Sequence, residues 1–196
     1  METEINYNVR IATSDDYKYV TEIIDELADS AAKRAISIAR RAPEYIMNKI
    51  DNELAVIATD ANTGQWVGFS CLEVWEHEKY VAGTALIISP SYRNTGISRQ
   101  IKRVLFHHYL ENFSNATLFS ITKSQTVIRI NEELGFNKVP NSEVLNDTLF
   151  LTGNNCLLNY TDLLQGETGY VAMVYEPHRV SVKIAVKNKT WALQSI

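Results

Sequence analysis

The sequence predicts one mixed α/β domain of the α+β kind, with helices covering a largely antiparallel sheet. Three observations predict it. Apolar residues alternate between a period of two and a helical period several times along the chain. Two strand-like runs flank the turn signal Asn62-Thr63-Gly64. A nearly all-apolar run, Ala85-Leu-Ile-Ile88, is stopped by Pro90 and followed shortly by a helical pattern. The 196 residues suffice for one domain with a generous core and a terminal extension.

Residues 8–12 alternate as a short strand, and Thr13-Ser14-Asp15-Asp16 offers helix-capping chemistry. Val20, Ile23, Ile24 and Leu27 then fall at helical spacing. A second helical stretch carries Ala31, Ala35, Ile38 and Ala39; Pro43 interrupts it, and Tyr45 to Ile50 adds a further turn or two. Residues 54–75 read as a hairpin. Tyr80 to Ser89 is a strand suited to burial on both faces. A helix follows from Gly96, with Ile97, Ile101, Val104, Leu105 and His108 on one face. Thr117–Thr122 is a strand, and Ser124–Leu134 a helix closed by Gly135. Phe136–Val139 leads into a strand. Residues 141–168 have no firm period, whereas 170–175 and 180–186 read as strands. The expected division is a core over 1–140 and a C-terminal extension over 141–196, packed on the same domain.

The formal net charge of -4 argues against a general nucleic-acid binder, which needs clustered Lys and Arg. Lys33, Arg34, Arg40 and Arg41 form the densest basic group, and their helical spacing reads as a solvated face. The two cysteines, Cys71 and Cys156, make neither a metal quartet nor a disulfide framework, and Cys71 reads as a buried strand thiol. None of the four histidines has a partner at metal-ligand spacing, so no metal is expected. No apolar run reaches the length of a membrane span, and Met-Glu-Thr-Glu-Ile is not a signal peptide, so the expected setting is cytoplasmic.

The chemistry concentrates where the strand ending at Pro90 passes through Ser91-Tyr92-Arg93-Asn94-Thr95-Gly96 into a helix. A helix start exposes unpaired amides and the positive end of its dipole, which suit a phosphate or pyrophosphate. Gly96 allows a tight turn and close ligand approach. Ser98 adds a small hydroxyl, and Arg93 a cation. The three glycines of a dinucleotide fingerprint are missing, as is the Gly-Lys-Ser/Thr of a phosphate loop.

With these elements in order, the sequence resembles the GNAT superfamily of acyl-CoA N-acyltransferases. The family's Gln/Arg-x-x-Gly-x-Gly/Ala signature reads here Arg93-Asn94-Thr95-Gly96-Ile97-Ser98, after Leu86-Ile87-Ile88-Ser89-Pro90, which is similar to the family's stretch ending in Val-x-Pro. A second block, ending in the family as Tyr-Glu-Lys-Leu-Gly-Phe, reads Asn131-Glu132-Glu133-Leu134-Gly135-Phe136. The opening Val9-Arg10-Ile11-Ala12-Thr13 resembles the family's first strand. The resemblance covers about residues 8–140. It implies that amides from Asn94 to Ser98 bind the pyrophosphate of coenzyme A, and that the backbone of Ile87, Ile88 and Ser89 pairs with the pantetheine arm. The arm would lie between strands 80–89 and 117–122, with the acyl carbonyl near an amide around Ile88. An amine would attack the thioester directly, with acetyl-CoA as co-substrate and no metal.

Three positions depart from the family pattern. Ser98 replaces Gly or Ala, Ser124 stands where many members have Asn, and Asn131 stands where many have a Tyr that protonates the leaving thiolate. Asn is no acid at neutral pH, although it can hydrogen-bond the sulfur or the pantetheine. For the base, Glu73 among apolar strand residues is the candidate, with His77 of the loop Glu76-His77-Glu78 behind it. His107 and His108 lie too far along their helix to touch the coenzyme. Tyr80, Ser120 and Thr122 flank the expected acyl position, and Tyr160, Tyr170 and Tyr175 are tail residues able to supply an acid. The wall over 15–50 mixes charge signs, and Arg40-Arg41 hints at an acidic acceptor. The favoured function is acetyl transfer from acetyl-CoA to a primary amine, of a small molecule before a peptide. The alternatives are a non-catalytic acyl-CoA-binding module, favoured by Asn131, and a nucleotide binder, disfavoured by the missing Lys. The extension is suited to capping the acceptor site or to forming a homodimer interface.

Overall fold

The structure is a computed structural model that describes residues 6–33, 40–75, 79–140 and 169–177. Within these, a seven-stranded sheet runs in the order β1-β2-β3-β4-β5-β7-β6. The strands are β1 (Tyr7–Ile11), β2 (Ala55–Asp60), β3 (Trp66–Trp75), β4 (Tyr80–Ile88), β5 (Thr117–Thr122), β6 (Asn137–Val139) and β7 (Val171–Tyr175). Neighbours are antiparallel except β4 and β5, which are parallel. Four helices flank the sheet: α1 (Val20–Lys33), α2 (Pro43–Asp51), α3 (Ile97–Asn112) and α4 (Gln125–Glu133). The expected mixed, largely antiparallel sheet flanked by helices is the observed one.

Two apolar layers hold the sheet. On one face Ile23 and Ile24 of α1 and Ile46 and Ile50 of α2 pack on Ile57, Phe69 and Cys71. On the other, Ile97, Ile101, Leu105 and Tyr109 of α3 pack on Val56, Val67, Leu72 and Val81. The strand parity that puts Cys71 on one face puts Leu72 on the other.

Ala31 belongs to α1, which runs on to Lys33, so the break expected after Leu27 does not occur. Leu27, Ala28 and Ala31 continue one helical path, and no Pro or Gly stands between them. α2 starts on Pro43 at its first position, where a missing N–H costs nothing. β7 comes from the segment set apart as 141–196, yet it lies inside the sheet between β5 and β6. The core over 1–140 is therefore completed by later residues. The strand expected over 180–186, the segment 141–168, the loop Glu76-His77-Glu78, Cys156, Tyr160 and His178 lie outside the described residues. Among the described residues no helix is long and apolar enough to cross a membrane.

Candidate active-site cleft

The site begins with a failure of pairing. β4 and β5 pair only at Tyr80↔Thr117, Val81↔Leu118 and Ala82↔Phe119. Beyond Ala82 the two strands part. β4 also carries a bulge: its register against β3 jumps from Thr84↔Cys71 to Ile87↔Phe69, three residues against two, and Ala85 sits at φ 53°. The bend turns β4 away from β5. The gap between them is a cavity of about 610 Å³ with Gly83, Thr84, Ile87 and Ile88 on one wall and Phe119, Ser120 and Thr122 on the other.

The cleft opens at the C-terminal ends of both strands. There the chain turns through Asn94 (φ 65°) and Gly96 (φ 83°) into α3. Both are left-handed, which Asn tolerates and Gly adopts freely. Arg93, Asn94, Gly96 and Ser98 all line the cleft. Thr95 instead donates its hydroxyl to the Tyr92 carbonyl at 2.8 Å, which holds the turn, and Ile97 is 1% exposed in the core. On the opposite side Ser124 lines the cleft and caps α4, accepting a bond from the Val127 amide at 3.4 Å.

Arg93 is partly committed elsewhere. Its Nη2 pairs with Glu26 of α1, and its Nε donates to the Ile88 carbonyl at 3.3 Å. It thus ties the turn to β4 and to α1. The cleft gains further cations that the sequence reading passed over: Arg99 and Lys102 of α3 and Arg129 of α4. Arg99 pairs with Glu133 through two nitrogens at 2.9 and 2.8 Å. Arg40 and Arg41 line the same cavity beside Ile24 and Leu27 of α1. Arg40 pairs with Asp25, and the Arg41 guanidinium lies 4.1 Å from the centre of the Tyr45 ring. None of the described lining residues carries a carboxylate.

Glu73 stands on the α2 side of β3 with Cys71, as its parity requires. It pairs with Lys49 at 2.5 Å and accepts a hydrogen bond from the Tyr45 hydroxyl. Its side chain is 16% exposed and is not among those lining the cleft. The link to the cleft runs through its neighbours. Tyr45 Oη is 4.0 Å from Cys71 Sγ, which lies 3.4 Å from Oγ1 of the cleft residue Thr84. Asn131 is fully buried, with Nδ2 donating to Met173 Sδ at 3.7 Å. Its Oδ1 finds no hydrogen-bond partner among the described residues. Asn131 faces β7, while Thr126, Val127, Arg129 and Ile130 of the same helix line the cleft. Tyr170, Ser120 and Thr122 line it too, whereas Tyr80 packs on Phe119, and Tyr175 lies in a separate ring cluster with Phe106, Tyr109 and Phe136. Ser89 lies at the other side of the turn, in a pocket with Trp66, Ser91 and Tyr92.

The architecture has close counterparts among solved structures. An acetyltransferase from Streptococcus agalactiae superposes with a TM-score of 0.59 at 13% identity, over 87% of this chain and 98% of that one. N-acetylglutamate synthase from Neisseria gonorrhoeae, complexed with coenzyme A and N-acetyl-glutamate, matches at 0.58 and 16% identity over 88% of this chain. This chain spans 35% of that protein's length. A GNAT superfamily phosphinothricin acetyltransferase from Sinorhizobium meliloti, in complex with acetyl-CoA, matches at 0.55 and 17% identity, over 68% of this chain and 76% of that one. No protein-family model and no curated protein matches the sequence. At such identities the likeness is one of fold, and the fold of this chain is that of the GNAT acetyltransferases.

Proposed function

We propose that this protein is an acyl-CoA-dependent N-acyltransferase that moves an acetyl group from acetyl-CoA to the primary amine of a small molecule. The observation that carries the reading is the parting of β4 and β5 into a cleft that ends on the first turn of α3. Unpaired strand edges in the cleft suit an extended, amide-bearing arm, and the helix start suits a pyrophosphate. Coenzyme A in the Neisseria gonorrhoeae neighbour and acetyl-CoA in the Sinorhizobium meliloti one support the same ligand. Here the amides from Asn94 to Ser98 take the pyrophosphate, and the backbone of Ile87 and Ile88, with Ser89 at its outer end, takes the arm. Arg99 and Arg129 add charge, and Ser124 caps the helix across the cleft. No metal enters this chemistry.

The amine attacks the thioester carbonyl from the α1–α2 side, and an amide near Ile88 receives the oxyanion. Glu73 takes the amine's proton by way of the Tyr45 hydroxyl that bonds it. A second reading, a non-catalytic acyl-CoA-binding module, draws on the burial of Asn131 away from the cleft, which leaves the family's usual acid position without access to the sulfur.

The test is calorimetry and thermal shift with acetyl-CoA, coenzyme A, ATP and NAD. Saturation at a hundred times Kd stabilises by about 2.7 kcal/mol, or roughly 5–10 °C for a chain of this size. Stabilisation by acetyl-CoA and coenzyme A alone, lost in Gly96→Glu, supports the coenzyme site. No binding of either would overturn the reading. Turnover with any member of an amine panel separates the enzyme from the binding module.

A further inference from the structure

Lys102 is the group in the cleft that the reading above leaves unused. It is 6% exposed, lies on α3, and lines the cavity beside Gly83, just past the last β4–β5 pair. A Cβ built on Gly83 would stand 3.4 Å from Lys102 Nζ, in van der Waals contact, so the ammonium lies directly against the β4 backbone at Gly83. Beneath it lie Leu72, Leu105, Phe106, Leu118, Leu134 and Phe136, all uncharged. Its Nζ lies 5.9 Å from the centre of the Phe136 ring. Lys102 forms no ion pair with any described residue, although its charge sits in an apolar wall.

A buried cation without an anion is costly, and its place says what it serves. An arm held by the α3 turn at one end runs back along β4, so its sulfur end points towards the fork at Ala82 and Gly83. Among the described side chains lining the cleft, the Ser and Thr hydroxyls, Ser70, Thr84, Ser120 and Thr122 among them, are too weak as acids for a thiolate. Tyr170 precedes Val171, which pairs with Thr122, so it stands at the open end of the fork. The other cations of the cleft, Arg40, Arg41, Arg93, Arg99 and Arg129, cannot be deprotonated.

We propose that Lys102 protonates the departing coenzyme A thiolate, taking the place of the acid that Asn131 cannot supply. The inference rests on the acyl-CoA reading above. As the amine nitrogen bonds the acyl carbon, the C–S bond breaks and its electron pair stays on sulfur. A proton passes from Lys102 Nζ to that sulfur, giving free coenzyme A and a neutral lysine, which regains a proton from solvent. Burial lowers the Lys102 pKa to about 8, so the ammonium gives up its proton more readily than an exposed lysine.

The experiment needs no acceptor. The ionisation of the thiol in protein-bound coenzyme A is followed by thiolate absorbance against pH, in the wild type, Lys102→Met and Tyr170→Phe. Calorimetry first measures coenzyme A binding to each. An adjacent ammonium should make the bound thiol ionise about one pH unit or more below free coenzyme A, a tenfold change in its ionisation constant. Lys102→Met should abolish that shift while coenzyme A still binds. If the bound thiol titrates alike in wild type and Lys102→Met, or if Tyr170→Phe alone moves it, Lys102 is not the acid. Absence of coenzyme A binding to the wild type would remove the acyl-CoA reading itself and this inference with it.

Discussion

Replacing Lys102 with Met should stabilise the unliganded protein, by an amount that depends on pH. Burial takes the lysine from its ordinary 10.5 to about 8. At about 1.4 kcal/mol per pH unit, that corresponds to a cost of about 3 kcal/mol for holding the ammonium in the fold. The sign follows from where the proton prefers to be. The folded-state pKa lies below the unfolded one, so protonation favours unfolding. The penalty is full below about pH 8, fades as the pH rises towards 10.5, and vanishes above it. Met fills a similar volume without charge, so at pH 7 Lys102→Met should melt roughly 6–12 °C higher. Chemical denaturation of both proteins, from pH 7 to about 10.5, should show the gap closing as Lys102 of the wild type loses its proton. A gap that stays constant with pH, or a variant that is less stable than wild type at pH 7, would refute the claim that Lys102 is an unpaired buried cation.

Asp16, 1% exposed, accepts bonds from Arg10 Nη1 and Nη2 at 2.6 and 2.9 Å and from the Thr13 amide at 2.9 Å. Asp16→Asn should cost about 1–3 kcal/mol at pH 7, read from the denaturation midpoint. Burial pushes the Asp16 carboxyl up, but the Arg10 and Thr13 bonds outweigh it and hold the pKa below its ordinary value. Its contribution is therefore present above the ordinary carboxylate pKa and is lost as pH falls through the lowered one; the variant should show a shallower acid limb. The Cys71 thiol is pushed up to about 11, chiefly by burial, so iodoacetamide at pH 7 should leave it unlabelled in the folded protein and label it in denaturant, as read by peptide mass spectrometry. Glu73→Gln should lower kcat about a hundredfold or more with KM for acetyl-CoA little changed, measured with any amine that turns over; unchanged kcat would remove Glu73 from the proton path.

Local chemistry made the α3 end of the cleft readable. Pro90 and Gly96 punctuate the chain wherever they stand, and the apolar run before them needs burial on both sides, so strand, turn and helix follow from nearest neighbours. The bulge at Ala85 left no such mark, because nothing in Ala85-Leu-Ile-Ile88 requires a left-handed residue; the bend arises from how β4 meets β3. The place of β7 between β5 and β6 is a long-range pairing, which no window of sequence encodes. Asn131 could be aligned with a family position, but which way a helix turns its side chains depends on what packs against it, and Met173 of β7 decides that here. Lys102 did leave a signal. Ser98, Lys102, Leu105 and Tyr109 follow one another at steps of four, three and four, a single stripe of α3, and the last two are buried. A lysine in the middle of a buried stripe is the pattern that marks it.

The charges of the cleft make sense only together. A chain with a formal net charge of -4 gathers Arg40, Arg41, Arg93, Arg99, Lys102 and Arg129 around one cavity with no carboxylate among its described lining residues. Left bare, such a set would repel itself. Glu26, Asp25 and Glu133 each hold one of the arginines from just outside the lining. These pairs differ in consequence. Arg99 and Glu133 are about equally exposed, so their pairing is worth little and exchanges readily for a phosphate. Glu26 is only 10% exposed and keeps Arg93 against the turn and the end of β4, which makes that pair a brace rather than a reserve of charge. Lys102 has no such partner among the described residues, and an anion arriving at the closed end of the cleft would meet it. The cleft is thus graded from exchangeable cations at its mouth, through a braced arginine at its turn, to an unpaired ammonium at its root. That gradient suits a ligand whose permanent negative charge stays outside and whose new negative charge appears only at the far end, when a bond to sulfur breaks.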